Sequence, residues 1–103
     1  AAHFPELKIV MSHAGWNYPY EALSVVFRHE NVYMDISDMH MIMWMDVLLK
    51  AINTQLADKV FFGSAHPFMP LAEALDMMAG YEFADGVREK VMYENARKFL
   101  ELD

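Results

Sequence analysis

Several features that decide the class of a protein are missing from this sequence. There is no cysteine, so neither a disulfide framework nor a thiolate metal site can form. No segment approaches the ~20 apolar residues that a membrane-spanning helix requires. The first residues lack a basic region followed by an apolar run, the pattern that marks a signal peptide. We therefore expect a cytoplasmic protein without a signal peptide.

Clustered positive charge is also absent. The eight Lys and Arg residues are scattered and are outnumbered by fifteen Asp and Glu residues, which gives a net charge of −7. Nucleic acids and anionic membrane surfaces bind grouped cations, so we expect neither as a partner. The chain has only four Gly and four Pro, and 55% of its residues are hydrophobic. That composition excludes a disordered chain.

The length of 103 residues corresponds to one small domain, and we treat residues 1–103 as a single unit. The chain has no initiator Met and opens with AAHFPELKIV, which is already close to a predicted strand. We therefore expect a processed product or a fragment of a longer protein.

Short apolar runs alternate with segments of helical periodicity. Strands are predicted over 7–13, 31–37 and 59–64, and helices over 17–30, 46–56 and 70–78, with a fourth helix capped by Asp85. The order βαβαβαα predicts an α/β fold with three parallel strands and right-handed crossovers. Because the outer strands of so small a sheet would have unpaired edges, the pattern favours one part of a longer sheet or of a closed barrel.

Polar residues follow each predicted strand, and the carboxyl ends of parallel strands are where α/β proteins bind ligands. After the first strand, His13 is a candidate metal ligand or general base, because the pKa of histidine lies near neutrality. The alternative is a loop histidine that bonds nearby carbonyl groups. Gly15 would let the backbone approach a bound ligand.

The second and third strands contribute further candidates. Asp35 lies in an apolar strand, where a carboxylate needs partners, so it is either a hydrogen-bonded structural residue or a site residue. Ser37 shares its face, since side chains alternate. After the third strand, VFFGSAHPFMP has Ala65 between a serine and His66. Alternation places His66 on the opposite face from Ala65, although the turn at Pro67 can redirect it.

The segment MHMIMWM, 39–45, has Met at four alternate positions. Thioethers bind Cu(I), so a copper site is one reading of this segment. Met is also a flexible apolar filler, and six more Met occur elsewhere in the chain. The wall of a substrate pocket or an oligomer interface is therefore the favoured reading.

Four motifs together resemble a known family. FPELKIVMSHAGW, NVYMDIS, DKVFFGSAHPFMP and REKVMYENARKFLEL are similar to the C-terminal part of amidohydrolase-2 type proteins. These are metal-dependent hydrolases and decarboxylases, including aminocarboxymuconate-semialdehyde and resorcylate decarboxylases, on a (β/α)8 barrel. The resemblance implies that the three strands are the last three βα units of a TIM barrel.

The resemblance also implies roles for particular residues. His13 matches the histidine after the family's sixth strand, which assists the substrate or the metal-bound water, so it is the expected catalytic acid or base. Trp16, Asp35 and His66 are the expected substrate-binding residues, for a small carboxylated substrate. The family's divalent metal, Zn or Mn, takes an Asp ligand at the position of Ala65, which has no donor atom. The family's other histidine ligands would lie upstream of these residues.

Two functions follow from these observations. The first is part of a metal-dependent hydrolase or decarboxylase whose metal binding is weakened at Ala65, and these 103 residues alone are then expected to be inactive. The second is an inactive fragment or non-catalytic relative that associates with itself through its exposed strand edges. A homo-oligomer is expected.

Overall fold

Three short parallel strands form the centre of the computed structural model, which describes residues 1–103. The strands β1 (Ile9–Met11), β2 (Val32–Asp35) and β3 (Val60–Phe61) lie in the order β1-β2-β3. Their register pairs Val10 with Tyr33 and Asp35 with Phe61. The predicted α/β fold with three parallel strands is confirmed. All three strands are shorter than predicted at both ends, and directly after β1 the backbone enters a 3-10 turn at Ser12.

Helices follow the strands in the predicted order. Their bounds are α1 (Pro19–Arg28), α2 (Met45–Ile52), α3 (Leu71–Gly80), α4 (Val87–Glu89), a π-helical turn (Lys90–Glu94) and α5 (Asn95–Phe99). Pro19 opens α1, where its missing N–H costs no hydrogen bond. The fourth predicted helix is thus interrupted by a π turn, and its cap is Gly86 rather than Asp85. None of the helices is long and apolar enough to cross a membrane.

The two faces of the sheet differ in character. Val32, Met34 and Val60 are fully buried against the helices and form the centre of the core. The opposite face carries Tyr33 and Phe61, whose rings stack at 5.5 Å. Phe99, at the end of α5, packs against these two rings at 4.9 and 5.1 Å, so the C-terminal helix covers part of this face.

One buried polar side chain ties the last helix to the third strand. Asn95 is only 3% exposed, and its Nδ2 donates hydrogen bonds to the carbonyls of Ala57 (2.7 Å) and Val60 (3.0 Å). The first carbonyl precedes β3 and the second belongs to its first residue, and buried backbone carbonyls need partners of this kind. The contact fixes α5 against the strand that leads to Ala65 and His66.

Candidate active site

The carboxyl ends of β1 and β2 bring four polar residues together. Asp35 Oδ1 accepts hydrogen bonds from the backbone N–H groups of His13 (3.1 Å) and Ser37 (3.0 Å), and also from the Ser37 hydroxyl in a short contact. Asp35 Oδ2 accepts from the Ser12 hydroxyl at 3.0 Å. The His13 ring joins the network through Nδ1, which lies 2.9 Å from Ser37 Oγ and 3.3 Å from the Ser37 carbonyl oxygen.

The loop that carries His13 has an unusual backbone. The φ angles of His13, Ala14 and Trp16 are 53°, 53° and 38°, in a region that non-glycine residues rarely adopt. The chain therefore leaves the strand before His13, which the predicted strand included, and turns the His13 ring toward the neighbouring strand. Hydrogen bonds hold this conformation, since Asp35 accepts the His13 N–H, and the Trp44 indole N–H donates to the Trp16 carbonyl at 2.6 Å.

The structure shows why residue 15 is a glycine, which the sequence did not reveal. Its φ is 72°, and a Cβ at this position would lie 2.5 Å from Ala22 Cβ and 2.6 Å from Met11 Sδ. The space that a side chain at residue 15 would need is therefore occupied by Ala22 of α1 and Met11 of β1. The glycine lets α1 pack close beneath the His13 loop.

The third strand end stays apart from this network. A Cβ at Gly63 would lie 3.1 Å from Ser37 Cβ, so the backbone of the loop does pass close to the cluster. His66, however, is exposed, and its ring makes no hydrogen bond. Its backbone N–H binds Ser64 Oγ at 3.1 Å, and Ala65 before it has a φ of 64°. The structure thus joins His13 to Asp35 but does not bring His66 to them.

A shallow groove of about 310 Å³ lies beside the cluster, on the face of the sheet that carries Phe61. Asp35 and Ser37 line one end of it, and Val10, Phe61 and Phe99 line its apolar part. Trp16, the other expected substrate contact, does not line this groove, and its side chain is half exposed at the rim. The groove offers an apolar surface with a carboxylate and a hydroxyl at its end.

Sequence analysis missed two residues at the rim. Trp44 was part of the Met-rich segment and showed no pattern that would connect it with Trp16. Asp38 directly precedes the 3-10 turn Met39–Met41 and is buried, with a left-handed backbone (φ 54°). His40 Nδ1 lies 3.1 Å from Asp38 Oδ1, yet this oxygen has no hydrogen-bond partner of acceptable geometry. The two atoms are therefore close without being hydrogen-bonded, because distance alone does not make a hydrogen bond.

The residues present do not by themselves fit a divalent metal ion. No group of three or more His, Asp or Glu side chains is arranged so that it could hold one, whereas protein sites for such ions take at least three side-chain ligands in most cases. Ala65 offers no donor. The Met residues of 39–45 do not replace one, since Met39 is buried in the core and Met43 is 94% exposed.

Comparison with known proteins decides the family. The family model described as Amidohydrolase matches residues 1–102, almost the whole chain. The chain belongs to this amidohydrolase family. The predicted resemblance is confirmed, and His13, Asp35 and Ser37 lie at the carboxyl ends of the strands of this family member. No curated protein matches the chain.

Solved structures place this amidohydrolase chain within a larger fold. It resembles an uncharacterised TIM-barrel protein from Bordetella bronchiseptica, with 31% identity and a TM-score of 0.88 over 97% of the chain and 36% of that protein. It also resembles a dihydroxybenzoic acid decarboxylase from Polaromonas sp. JS666, solved with manganese and 2-nitroresorcinol (21% identity, TM-score 0.77, 97% and 35% covered). A third is 5-carboxyvanillate decarboxylase from Sphingomonas paucimobilis (19% identity, TM-score 0.73, 99% and 36% covered). The chain therefore spans little more than a third of these relatives, and its fold is part of a TIM barrel.

Proposed function

We propose that these residues form the catalytic rim contributed by the last βα units of an amidohydrolase-type hydrolase or decarboxylase. Its substrate would be a small carboxylated molecule, as in the decarboxylases with the same fold. The single observation that carries the proposal is the position of His13. Asp35 and Ser37 hold it at the carboxyl ends of the strands, where barrel enzymes perform their chemistry.

In this function His13 transfers a proton to or from the reacting group of the substrate. A histidine held by two neighbours is a suitable general acid or base, because its protonation changes near neutral pH. The apolar groove along Phe61 and Val10 would take the body of the substrate, and the rim residues Trp16 and His66 would bound its outer end. The absence of cysteine suits a cytoplasmic enzyme, which is the location we propose.

The divalent metal of the family has few ligands in this chain. A bound divalent ion supplies a Lewis acid and a water of lowered pKa, and Ala65 stands where the resemblance expects its carboxylate ligand. We propose that metal binding is weaker than in relatives that keep the Asp. Any ion would depend on ligands outside the 103 residues or on a movement of His66.

Turnover of carboxylated substrates by the full gene product that contains this chain tests the proposal. Candidate substrates are 2,6-dihydroxybenzoate and 5-carboxyvanillate for CO2 release, and small carboxylated amides and esters for hydrolysis. We expect His13→Asn to lower kcat about 10²- to 10⁴-fold, the range for loss of a general acid or base. His3→Asn is the matched control, because His3 is exposed and its ring makes no hydrogen bond. Equal rates for wild type and His13→Asn would contradict the proposal.

A second candidate function is a self-associating, non-catalytic unit. The outer edges of β1 and β3 pair with no other strand of this chain, and large side chains such as Tyr20 (70%), Phe27 (63%) and Phe68 (84%) are exposed. Such edges and patches favour association. Sedimentation velocity of the gene product distinguishes the two candidates when it is combined with the assay: a stable homo-oligomer without turnover favours this second function.

A further inference from the structure

The Nδ1 atom of His13 faces two oxygen atoms of one residue. The carbonyl oxygen of Ser37 lies 3.3 Å away and its hydroxyl oxygen lies 2.9 Å away. A carbonyl oxygen can only accept a hydrogen bond. The contact with it is therefore favourable only when Nδ1 carries the proton, because an unprotonated Nδ1 would direct its lone pair at the lone pairs of the carbonyl.

The hydrogen bonds of the Ser37 hydroxyl indicate independently that His13 Nδ1 carries the proton. It makes a short hydrogen bond with Asp35 Oδ1, which also accepts the backbone N–H groups of His13 and Ser37. Those backbone groups can only donate, so Oδ1 acts as an acceptor. A serine hydroxyl has one hydrogen, and this hydrogen is directed to the carboxylate. Only lone pairs remain on Ser37 Oγ for His13, and Nδ1 must again be the donor.

We propose that Asp35 and Ser37 are positioning residues that fix the tautomer of His13, with the proton on Nδ1 and a free lone pair on Nε2. No other hydrogen bond to the His13 ring is present in the chain, so Nε2 is available to a ligand at the rim. Asp35, which the sequence placed among the substrate contacts, then acts through Ser37 on His13. The tautomer follows from geometry alone, and only its catalytic use depends on the proposed function.

The arrangement determines which atom exchanges a proton. Nε2 takes a proton from a substrate group or a water molecule, and the resulting imidazolium keeps its Nδ1–H directed at Ser37 Oγ. The same proton leaves again from Nε2. Ser37 and Asp35 exchange no proton, and their dipole and charge stabilise the positive ring, as an acidic orienting residue does for the histidine of a serine-hydrolase triad.

Nuclear magnetic resonance tests the tautomer directly. In long-range 1H–15N spectra of the uniformly labelled chain, recorded where His13 is neutral, Nδ1 is expected at a protonated and Nε2 at an unprotonated 15N shift. The rings of His3 and His66 make no hydrogen bond and report the unconstrained mixture. We expect Ser37→Ala to lower the ratio of the Nδ1-protonated to the Nε2-protonated form of His13 about tenfold, which is the effect of one net hydrogen bond.

Ser12→Ala is the matched control for this experiment. It removes the other hydroxyl that binds Asp35, on Oδ2, without touching the His13 ring, and is expected to leave the tautomer unchanged. A neutral His13 with its proton on Nε2, a mixture like that of His66, or equal shifts in both serine variants would overturn the proposal. If Ser37→Ala failed to fold, the wild-type spectrum alone would decide. Because no turnover is measured, the result is independent of whether the enzyme proposal holds.

Discussion

The Asp35 carboxylate accepts the backbone N–H of His13 at 3.1 Å and so joins the ends of two parallel strands. The bond forms across 22 residues of sequence, and it fixes a loop whose φ angles are unfavourable for its side chains. Asp35 thereby stabilises the conformation of the loop and, through Ser37, the orientation of the ring.

Two substitutions at Asp35 test how much its acceptor oxygens contribute to the free energy of unfolding. Asp35→Ala leaves the N–H groups of His13 and Ser37 without their acceptor, and we expect a loss of about 2–4 kcal/mol in the free energy of unfolding. Asp35→Asn keeps one oxygen that can occupy the place of Oδ1, so we expect less than half of that loss. Urea unfolding at neutral pH measures both values, and an asparagine variant as unstable as the alanine variant would be inconsistent with this account.

Gly15 is predicted to tolerate no side chain. Gly15→Ala adds a Cβ at 2.5 Å from that of Ala22 in a residue with a φ of 72°, so overpacking of about 1–3 kcal/mol adds to a backbone cost of about 1–2 kcal/mol. The loss of unfolding free energy should therefore lie between about 2 and 5 kcal/mol. Urea unfolding provides the measurement.

Two other glycines separate the contributions at Gly15. Gly86 has a φ of 78° but nothing within 4 Å of an added Cβ, so Gly86→Ala should cost only the backbone term of about 1–2 kcal/mol. Gly80, in α3, has neither constraint, and Gly80→Ala should be neutral or stabilise the protein by up to about 1 kcal/mol. The same cost at Gly15 and Gly86 would show that the close contact with α1 is absent.

Asn95 should be among the least replaceable polar residues of the chain. Asn95→Ala removes the donor for the buried carbonyls of Ala57 and Val60, and we expect about 2–4 kcal/mol of destabilisation. Asn53 is the control, since its amide also bonds a carbonyl but in a solvent-exposed position. Water can replace the amide there, so Asn53→Ala should cost under about 1 kcal/mol. Thermal and urea unfolding measure both variants. If Asn95→Ala and Asn53→Ala destabilised the protein equally, burial would not explain the effect of Asn95.

Tyr81 gives the protein a predicted weakness at alkaline pH. Burial raises the pKa of the Tyr81 hydroxyl above its ordinary value near 10.0. Above that pH the unfolded chain releases the phenolic proton more readily than the folded chain, so stability falls as the pH rises through 10 toward the folded-state pKa. Tyr81→Phe removes this titration. Melting temperatures from about pH 8 to about pH 11 should then decline less steeply in the variant, and parallel curves would argue against the burial of the hydroxyl.

The order and direction of the strands followed from local patterns. Runs such as KIVM and NVYM are apolar enough for strands covered on one face by helices, and Pro19 marked the start of α1. Alternation also placed Asp35 and Ser37 on one face correctly, because it depends only on neighbouring residues. His13, Asp35 and Ser37 could therefore be expected at one edge of the sheet.

The conformation of the His13 loop could not be predicted in this way. The positive φ of His13 and Trp16 depends on acceptors and donors from distant segments, Asp35 and Trp44, and no local pattern encodes them. For the same reason the sequence did not predict the burial of Asp38 or the close packing of Ala22 against Gly15. The position of His66 depends on the turn at Pro67, and alternation along the strand gave no information beyond Phe61, where β3 ends.

We propose that the metal site to which this amidohydrolase chain contributes is weakened at Ala65, which has no donor atom. The metal content of the full gene product, purified without chelators and measured by inductively coupled plasma mass spectrometry, tests this claim. We predict well under one equivalent of Zn or Mn in the wild type and a rise toward one equivalent in Ala65→Asp, because a carboxylate is a ligand that such ions accept. One full equivalent in the wild type, unchanged by the substitution, would contradict the claim.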